Sequence, residues 1–353
     1  MNLDDVEQIK RNDPADMLGH IDRLPDQVEA AWRLGQALEV RPEFAQAELI
    51  VVCGMGGSAI GGSLVAALAA PECRVPILVN RDYDLPAYVN GRRCLVIGSS
   101  FSGGTEETLA AFEAAAGRGA QLLAITRGGR LAQLARQHDA PIWSFDYESQ
   151  PRAGVGYGFM LPLALLCRLG FLPDQSAAVR EAVAVMREQQ AGLRVEVPVV
   201  TNRAKQIAGQ LMGRSVAVFG SGYLAPVARR WKGQINENAK AWAQYEELPE
   251  LDHNAVVGTT FPHELLGKYL VLFLQGGLDH TRNAARIAAT KHLYMLQGFS
   301  TDSVEARGST PLAQMLSVLH FGDYASYYLA AGYGVDPTPV EPIDYLKAEL
   351  AKT

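Results

Sequence analysis

Five short apolar runs alternate with helix-like runs between residues 48 and 145, and this alternation constrains the chain more than any other feature. The runs are ELIVVCG (48–54), VPILVN (75–80), RCLVIGSS (93–100), QLLAITRGG (121–129) and PIWSF (141–145). Each is too short for a helix and apolar at successive positions, the pattern of a strand covered on both faces. Between them SAIGGSLVAALAA (58–70), TEETLAAFEAAAGRG (105–119) and RLAQLARQ (130–137) read as helices. The alternation predicts a doubly wound α/β fold whose sheet is mainly parallel and flanked by helices.

The layout recurs in the second half. RSVAVFGSG (214–222) is a strand that runs into Gly220-Ser221-Gly222 and then a helix, as the first strand runs into Gly54-Met55-Gly56. YLVLFL (269–274), a helix around 281–297 and STDSVEA (300–306) continue it. The repeat predicts two related domains, which 353 residues can supply. A helical lead-in and the first domain take residues 1–170, a connecting helix 171–200, and the second domain with a C-terminal helix 201–353. The Pro-rich VDPTPVEP (335–342) leads into that last helix, where proline near the start is tolerated.

Composition excludes several classes of function. The formal net charge of −6 supplies no basic field for nucleic acid, so an anionic ligand would have to be held locally. The apolar stretches fall well short of a membrane span, and the acidic, polar start MNLDDVEQIK is unlike a signal peptide. Cys53, Cys73, Cys94 and Cys167 are widely spread, as expected of free thiols in a reducing, cytoplasmic protein. No CxxC or HxxxH spacing suggests a metal site.

Two loops carry chemistry. Gly54-Met55-Gly56-Gly57-Ser58-Ala59 joins a strand to a helix, where glycines permit close approach of an anion to free N–H groups. It also fits the dinucleotide fingerprint formally, but that reading wants an acidic residue at the end of the next strand, which ends at Asn80 with Asp82 in the following turn. The second loop, Ser99-Ser100-Phe101-Ser102-Gly103-Gly104-Thr105, is richer in hydroxyls than a helix cap requires. Ser100, Ser102 and Thr105, with the N–H groups of the next helix, form a phosphate cradle that needs no lysine.

Taken together with the PRAGVGY segment (151–157), NENAK (236–240), His253 and the tail DPTPVEPIDYLK (336–347), these loops resemble the sugar isomerase (SIS) family. More narrowly, the chain is similar to the bifunctional phosphoglucose/phosphomannose isomerases over nearly its whole length. The resemblance implies two SIS domains, usually dimeric, that bind a phosphorylated hexose and move its carbonyl between C1 and C2. It implies no metal or redox cofactor.

That reaction needs a carboxylate to carry a proton between the two carbons, a cation beside the enediolate, and a group that opens the ring near neutrality. On residues alone Glu237 is a solvated carboxylate at a helix end; the resemblance makes it the proton-transfer base, with a pKa raised by partial burial. It assigns ring opening to His253, which in relatives reaches the active site of the neighbouring subunit. It places Arg152, otherwise an ordinary surface charge, beside the enediolate. Lys347 matches a lysine that folds back over the sugar, Gly57 and Ser58 match contacts to the phosphate, and Thr338 lines the sugar end of the pocket. A non-catalytic SIS module that senses a phosphosugar would keep the hydroxyl loop without needing Glu237, Arg152 and His253 together. A nicotinamide-dependent oxidoreductase would rest on Gly54 to Ala59.

Overall fold

The alternating runs form two separate parallel sheets in the computed structural model, which describes residues 2–352. Three helices lead in: α1 (Val6–Arg11), α2 (Met17–Asp22) and α3 (Leu24–Ala37). The first α/β unit follows as β1 (Leu49–Cys53), α4 (Gly56–Ala69), β2 (Ile77–Asn80), β3 (Cys94–Ser100), α5 (Glu106–Gly117), β4 (Gln121–Thr126), α6 (Gly129–Gln137) and β5 (Ile142–Ser144). Next come α7 (Val155–Arg168), α8 (Ser176–Gln190) and α9 (Arg203–Leu211). The second unit comprises β6 (Ser215–Ser221), α10 (Ala225–Ala239), β7 (Ala243–Leu248), α11 (His263–Leu266), β8 (Tyr269–Gln275), α12 (Thr281–Leu296) and β9 (Ser300–Glu305). Two helices close the chain, α13 (Pro311–Tyr333) and α14 (Glu341–Leu350).

The first sheet has the order β2-β1-β3-β4-β5 and the second β7-β6-β8-β9, every pairing parallel. In the first sheet the winding reverses between β1 and β3. Ligands of open α/β sheets bind at such a switch point, beyond the carboxyl ends of the strands. All residues of β3 are buried, as an apolar strand between two helical layers requires. β7 is the element that periodicity does not reveal. Its sequence AQYEEL buries only Ala243 and Leu248, because it is an edge strand and half of it faces solvent.

One helix joins the two units. α13 is buried from Leu312 to Gly332 and packs on α8, α9 and α10, and α2 of the lead-in also reaches it. A helix that is apolar on all sides belongs inside a core. Its buried carboxylate is paired: Arg230 of α10 donates through Nη2 to both oxygens of Asp323 (3.0 and 2.7 Å), and Gln234 Nε2 adds a third bond at 2.9 Å. Close packing elsewhere depends on small residues. A Cβ at Gly61 of α4 would lie 2.2 Å from the Gly158 carbonyl of α7. The four cysteines are free, with Cys53 and Cys94 buried at strand ends.

α13 also buries His320, whose Nε2 donates to the Ile21 carbonyl at 2.9 Å while Nδ1 has no partner. Burial holds its pKa down at about 4. The folded protein therefore keeps His320 neutral where the unfolded chain takes up a proton. Stability is full above pH 6.5 and declines as pH falls toward about 4, by up to about 3 kcal/mol from this residue. Urea unfolding measured between pH 7 and 5 checks this, with His320→Gln expected to flatten the slope.

Candidate active site

The two loops read from the sequence meet at the switch point of the first sheet. Ser58, in the first turn of α4, accepts the Phe101 N–H through Oγ at 3.1 Å, which ties the glycine loop to the hydroxyl loop. Ser100 is buried beneath the second loop. Its Oγ accepts the Gly103 N–H (3.1 Å) and shares a 2.9 Å hydrogen bond with Thr105 Oγ1. Ser102 Oγ, at the exposed rim, accepts the Gly104 N–H at 3.3 Å. Thr105 precedes α5 without capping it, so the N–H groups of the first turn keep no side-chain partner. Gly103 turns the loop with φ +70°, and a Cβ there would lie 1.9 Å from the Gly128 carbonyl. The result is a ring of hydroxyls and amides suited to an anion.

The charged half of the site is built around Arg152. A short 3₁₀ turn, Pro151–Gly154, places this arginine below the glycine loop, where a Cβ at Gly57 would touch the Pro151 carbonyl at 2.7 Å. Its side chain is only 3% exposed. Nε donates to Asn238 Oδ1 (2.8 Å), Nη1 to Glu237 Oε2 (3.4 Å), and Nη2 to the carbonyls of Pro337 (2.7 Å) and Thr338 (2.8 Å). Burial lowers its pKa and Glu237 opposes that shift; a guanidinium so bonded stays a cation. Glu237 retains 30% side-chain exposure, so one face of its carboxylate is free for a ligand.

Supporting groups hold this end of α10. Asn238 Nδ2 donates to Ser326 Oγ at 3.0 Å. Arg230 Nη2 donates to the Arg152 carbonyl at 3.1 Å. Lys240 leaves the helix in the left-handed region at φ 55°, and its Nζ donates to the carbonyls of Glu237 (2.7 Å), Asn238 (3.3 Å) and Pro337 (3.1 Å). Burial and the neighbouring Arg152 bring Lys240 down to about 8. Gln27 of α3 grips the turn from behind: its Nε2 donates to the Ala153 carbonyl (2.9 Å) and its Oε1 accepts the Gly156 N–H (2.6 Å).

A cleft of about 830 Å³ is lined by Gly57, Ser58, Ser102, Thr105, Arg152, Glu237, Thr338 and Lys347. Residues scattered over most of the sequence thus face one space, and Ser100 supports its floor. Lys347 comes from α14, which buries none of its residues and sits over the cleft with Ile343 and Leu346. His253 does not belong to this group. It lies exposed in the turn Glu250–His253, beyond the carboxyl end of β7, whereas Glu237 stands near the amino end of that strand. The six residues of β7, about 20 Å of extended strand, run between the two ends. Asp82 accepts the N–H of Tyr83 in its own turn and is not presented by the end of β2. The sequence offered no signal for Asn238, Arg230 or Gln27, because their partners lie 78 to 129 residues away.

Residues 200–350 match the family model of the bacterial phospho-glucose isomerase C-terminal SIS domain. Over 337 residues the chain is 39% identical to the bifunctional phosphoglucose/phosphomannose isomerase of Caldicellulosiruptor bescii, covering 95% of this chain and 99% of that protein. The chain belongs to the bifunctional phosphoglucose/phosphomannose isomerase family. The relative in Aquifex aeolicus bearing the same name is 37% identical over 86% of this chain and 90% of its own. Among solved structures, the C-terminal domain of glucosamine-fructose-6-phosphate aminotransferase from Francisella tularensis superposes with a TM-score of 0.73 over 92% of this chain and 98% of its own. At 15% identity that likeness shows a shared fold. Among the described residues no helix is long and apolar enough to cross a membrane.

The hydroxyl loop of this family member depends on its left-handed glycine. Gly103→Ala is expected to lower stability by about 1–3 kcal/mol, through a strained φ and a clash with the 128 carbonyl, measured as a shift in the denaturation midpoint.

Proposed function

We propose that the chain is an aldose–ketose isomerase that interconverts glucose 6-phosphate and mannose 6-phosphate with fructose 6-phosphate. The observation that carries this reading is the half-buried carboxylate of Glu237 against the buried guanidinium of Arg152, facing the same cleft as the hydroxyl loop. In this scheme Ser102, Thr105, Ser58 and the amide of Gly57 hold the 6-phosphate, with Ser100 fixing Thr105. That anchor sets the distance at which the sugar's reacting carbons meet Glu237.

Glu237 takes the proton from C2 of the open-chain aldose, and the electron pair of that bond forms the C1–C2 double bond. The aldehyde oxygen becomes the enediolate oxygen, whose charge Arg152 offsets. A proton then passes from the C2 hydroxyl to O1, and as O2 forms the carbonyl the C1–C2 electron pair takes the proton back from Glu237 at C1, which yields the ketose. Both C2 epimers pass through the same enediolate, since C2 is planar there. Lys347 and Thr338 close over the sugar from the tail of the chain. Ring opening falls to an imidazole that shuttles a proton near neutrality. The chain's own His253 lies beyond the far end of β7 from Glu237, so the histidine in this scheme is the partner's His253 and the working enzyme is a homodimer. Such an enzyme uses its phosphorylated substrate in the cytoplasm.

A coupled assay for fructose 6-phosphate tests the reading. Glu237→Gln is expected to lower kcat by about three orders of magnitude or more with little change in KM, because a proton-transfer group is removed and the phosphate anchor is not. A kcat within tenfold of the parent's would reject Glu237 as the base. The shared site has its own test. Glu237→Gln and His253→Ala are each expected to be inactive alone. Mixed after exchange of subunits, they should recover about one quarter of the parent activity, since half the dimers are hybrid and each hybrid holds one intact site. No recovery would mean that the histidine acts within its own chain or not at all.

A further inference from the structure

The tail that carries Thr338 and Lys347 into the cleft sits lightly on the body, for α14 buries none of its residues. Two carbonyls of the connector before it, at 337 and 338, are bonded to cations of the body. Arg152 Nη2 donates to both, at 2.7 and 2.8 Å, and Lys240 Nζ donates to the Pro337 carbonyl a second time, at 3.1 Å. Pro337 is buried, and both lone pairs of its carbonyl are thus taken by positive groups. The Thr338 N–H turns inward to Asp336 Oδ1 at 2.8 Å, which stiffens the connector at the same point.

Lys240 is an unusual residue for its place. It ends α10 in the left-handed region, where glycine is the ordinary choice because a side chain is strained there. Its backbone N–H bonds to the Ile235 carbonyl, a closure that glycine would make equally well. What glycine lacks is the ammonium. Nζ donates to the carbonyls of Glu237 (2.7 Å) and Asn238 (3.3 Å), last-turn groups that a helix leaves without partners, and to that of Pro337. A strained backbone persists where its surroundings make use of it. One cation thus spans two segments 97 residues apart, the turn that carries Glu237 and the connector that carries Thr338.

We propose that Lys240 is a positioning residue, a clamp that holds the tail, and with it Thr338 and Lys347, at a fixed distance from Glu237. The proposal rests on the isomerase reading and adds what holds the closing segment to the base. The clamp works while the ammonium is charged. Burial and the Arg152 guanidinium, from the turn before α7, act against that charge. Asp336 of the connector, Glu237 of its own helix and Glu341 of α14 support it, and the outcome is a lysine brought down to about 8. The charge is present below that pH and is lost as pH rises through it, so the clamp loosens on the alkaline side.

Two substitutions in the full-length chain test the clamp. Lys240→Gly keeps the left-handed turn and removes the ammonium, so it is expected to unfold near the parent's denaturation midpoint. It should lower kcat at least about tenfold while KM stays within about threefold, because the phosphate anchor is untouched. Amide hydrogen exchange over residues 340–350 should quicken by about tenfold or more, since the tail loses a tie to the body. Lys240→Arg keeps a cation that does not deprotonate, and it should restore most of kcat and hold it above pH 8, where the parent's declines. A residue that merely ends a helix would move neither the pH profile nor the tail. Lys240→Gly with kcat within about threefold of the parent's overturns the proposal, as does a loss of kcat with the exchange of the tail unchanged. Should Lys240→Gly unfold too readily to assay, Lys240→Arg decides: an upward shift of the alkaline decline supports the clamp, and a decline at the parent's own pH overturns it. The isomerase reading fails separately, since a parent without turnover whose tail still loosens in Lys240→Gly would keep the clamp and reject the reaction.

Discussion

The buried guanidinium of Arg152 is the interaction on which the site depends. It bonds at once to the 3₁₀ turn's neighbours on α10, through Glu237 and Asn238, and to the connector before α14, through the carbonyls of Pro337 and Thr338. A charge at 3% exposure is tolerable only when its donors are satisfied, and here four acceptors from two distant segments do so. The same requirement that stabilises the charge thus assembles the cleft. Its backbone carbonyl accepts from Arg230, which is itself neutralised by Asp323 of α13, so the core helix and the site share one polar network.

The two halves of the cleft use different physics. The hydroxyl loop offers amides and hydroxyls at a helix N-terminus rather than a cation, and its members bond to one another around Ser100. Such donors suit an anion and do not titrate near neutral pH. The Arg152–Glu237 end is ionic and half-buried, and the response of a carboxylate to substrate is sharper there because water screens it less. The hydroxyl loop belongs to the first sheet, whereas Glu237 stands on α10 and Arg152 on the turn before α7. The distance between them is then set by the packing of α4 against α10.

Much of the fold was legible in the chain's periodicity. β1, β3, β4 and β8 carry near-continuous apolar runs because both faces are covered, and α13 is mostly apolar on every side because it is enclosed. β7 was not, since an edge strand with one solvent face can carry Gln244, Glu246 and Glu247. Within the candidate site, Ser100, Ser102 and Thr105 could be singled out from local pattern, because an anion loop is a short contiguous object. Glu237, Arg152 and Lys347 were singled out by family resemblance, as each is an ordinary surface residue by its neighbours in sequence. Asn238 and Gln27 were invisible to both, because a positioning role exists only in a contact.

The amino-acid sequence by itself determined the order and type of the elements, the placing of the hydroxyl loop between a strand and a helix, and the separation of two α/β units. Those follow from local sterics and from the spacing of apolar side chains, which act over a few residues. Only the tertiary structure decided that Arg152 is buried against Glu237, that Lys347 shares their cleft, and that His253 stands at the far end of β7 from all of them. Those relations come from how helices pack across hundreds of residues of chain, where burial and charge pairing, not local pattern, select the arrangement.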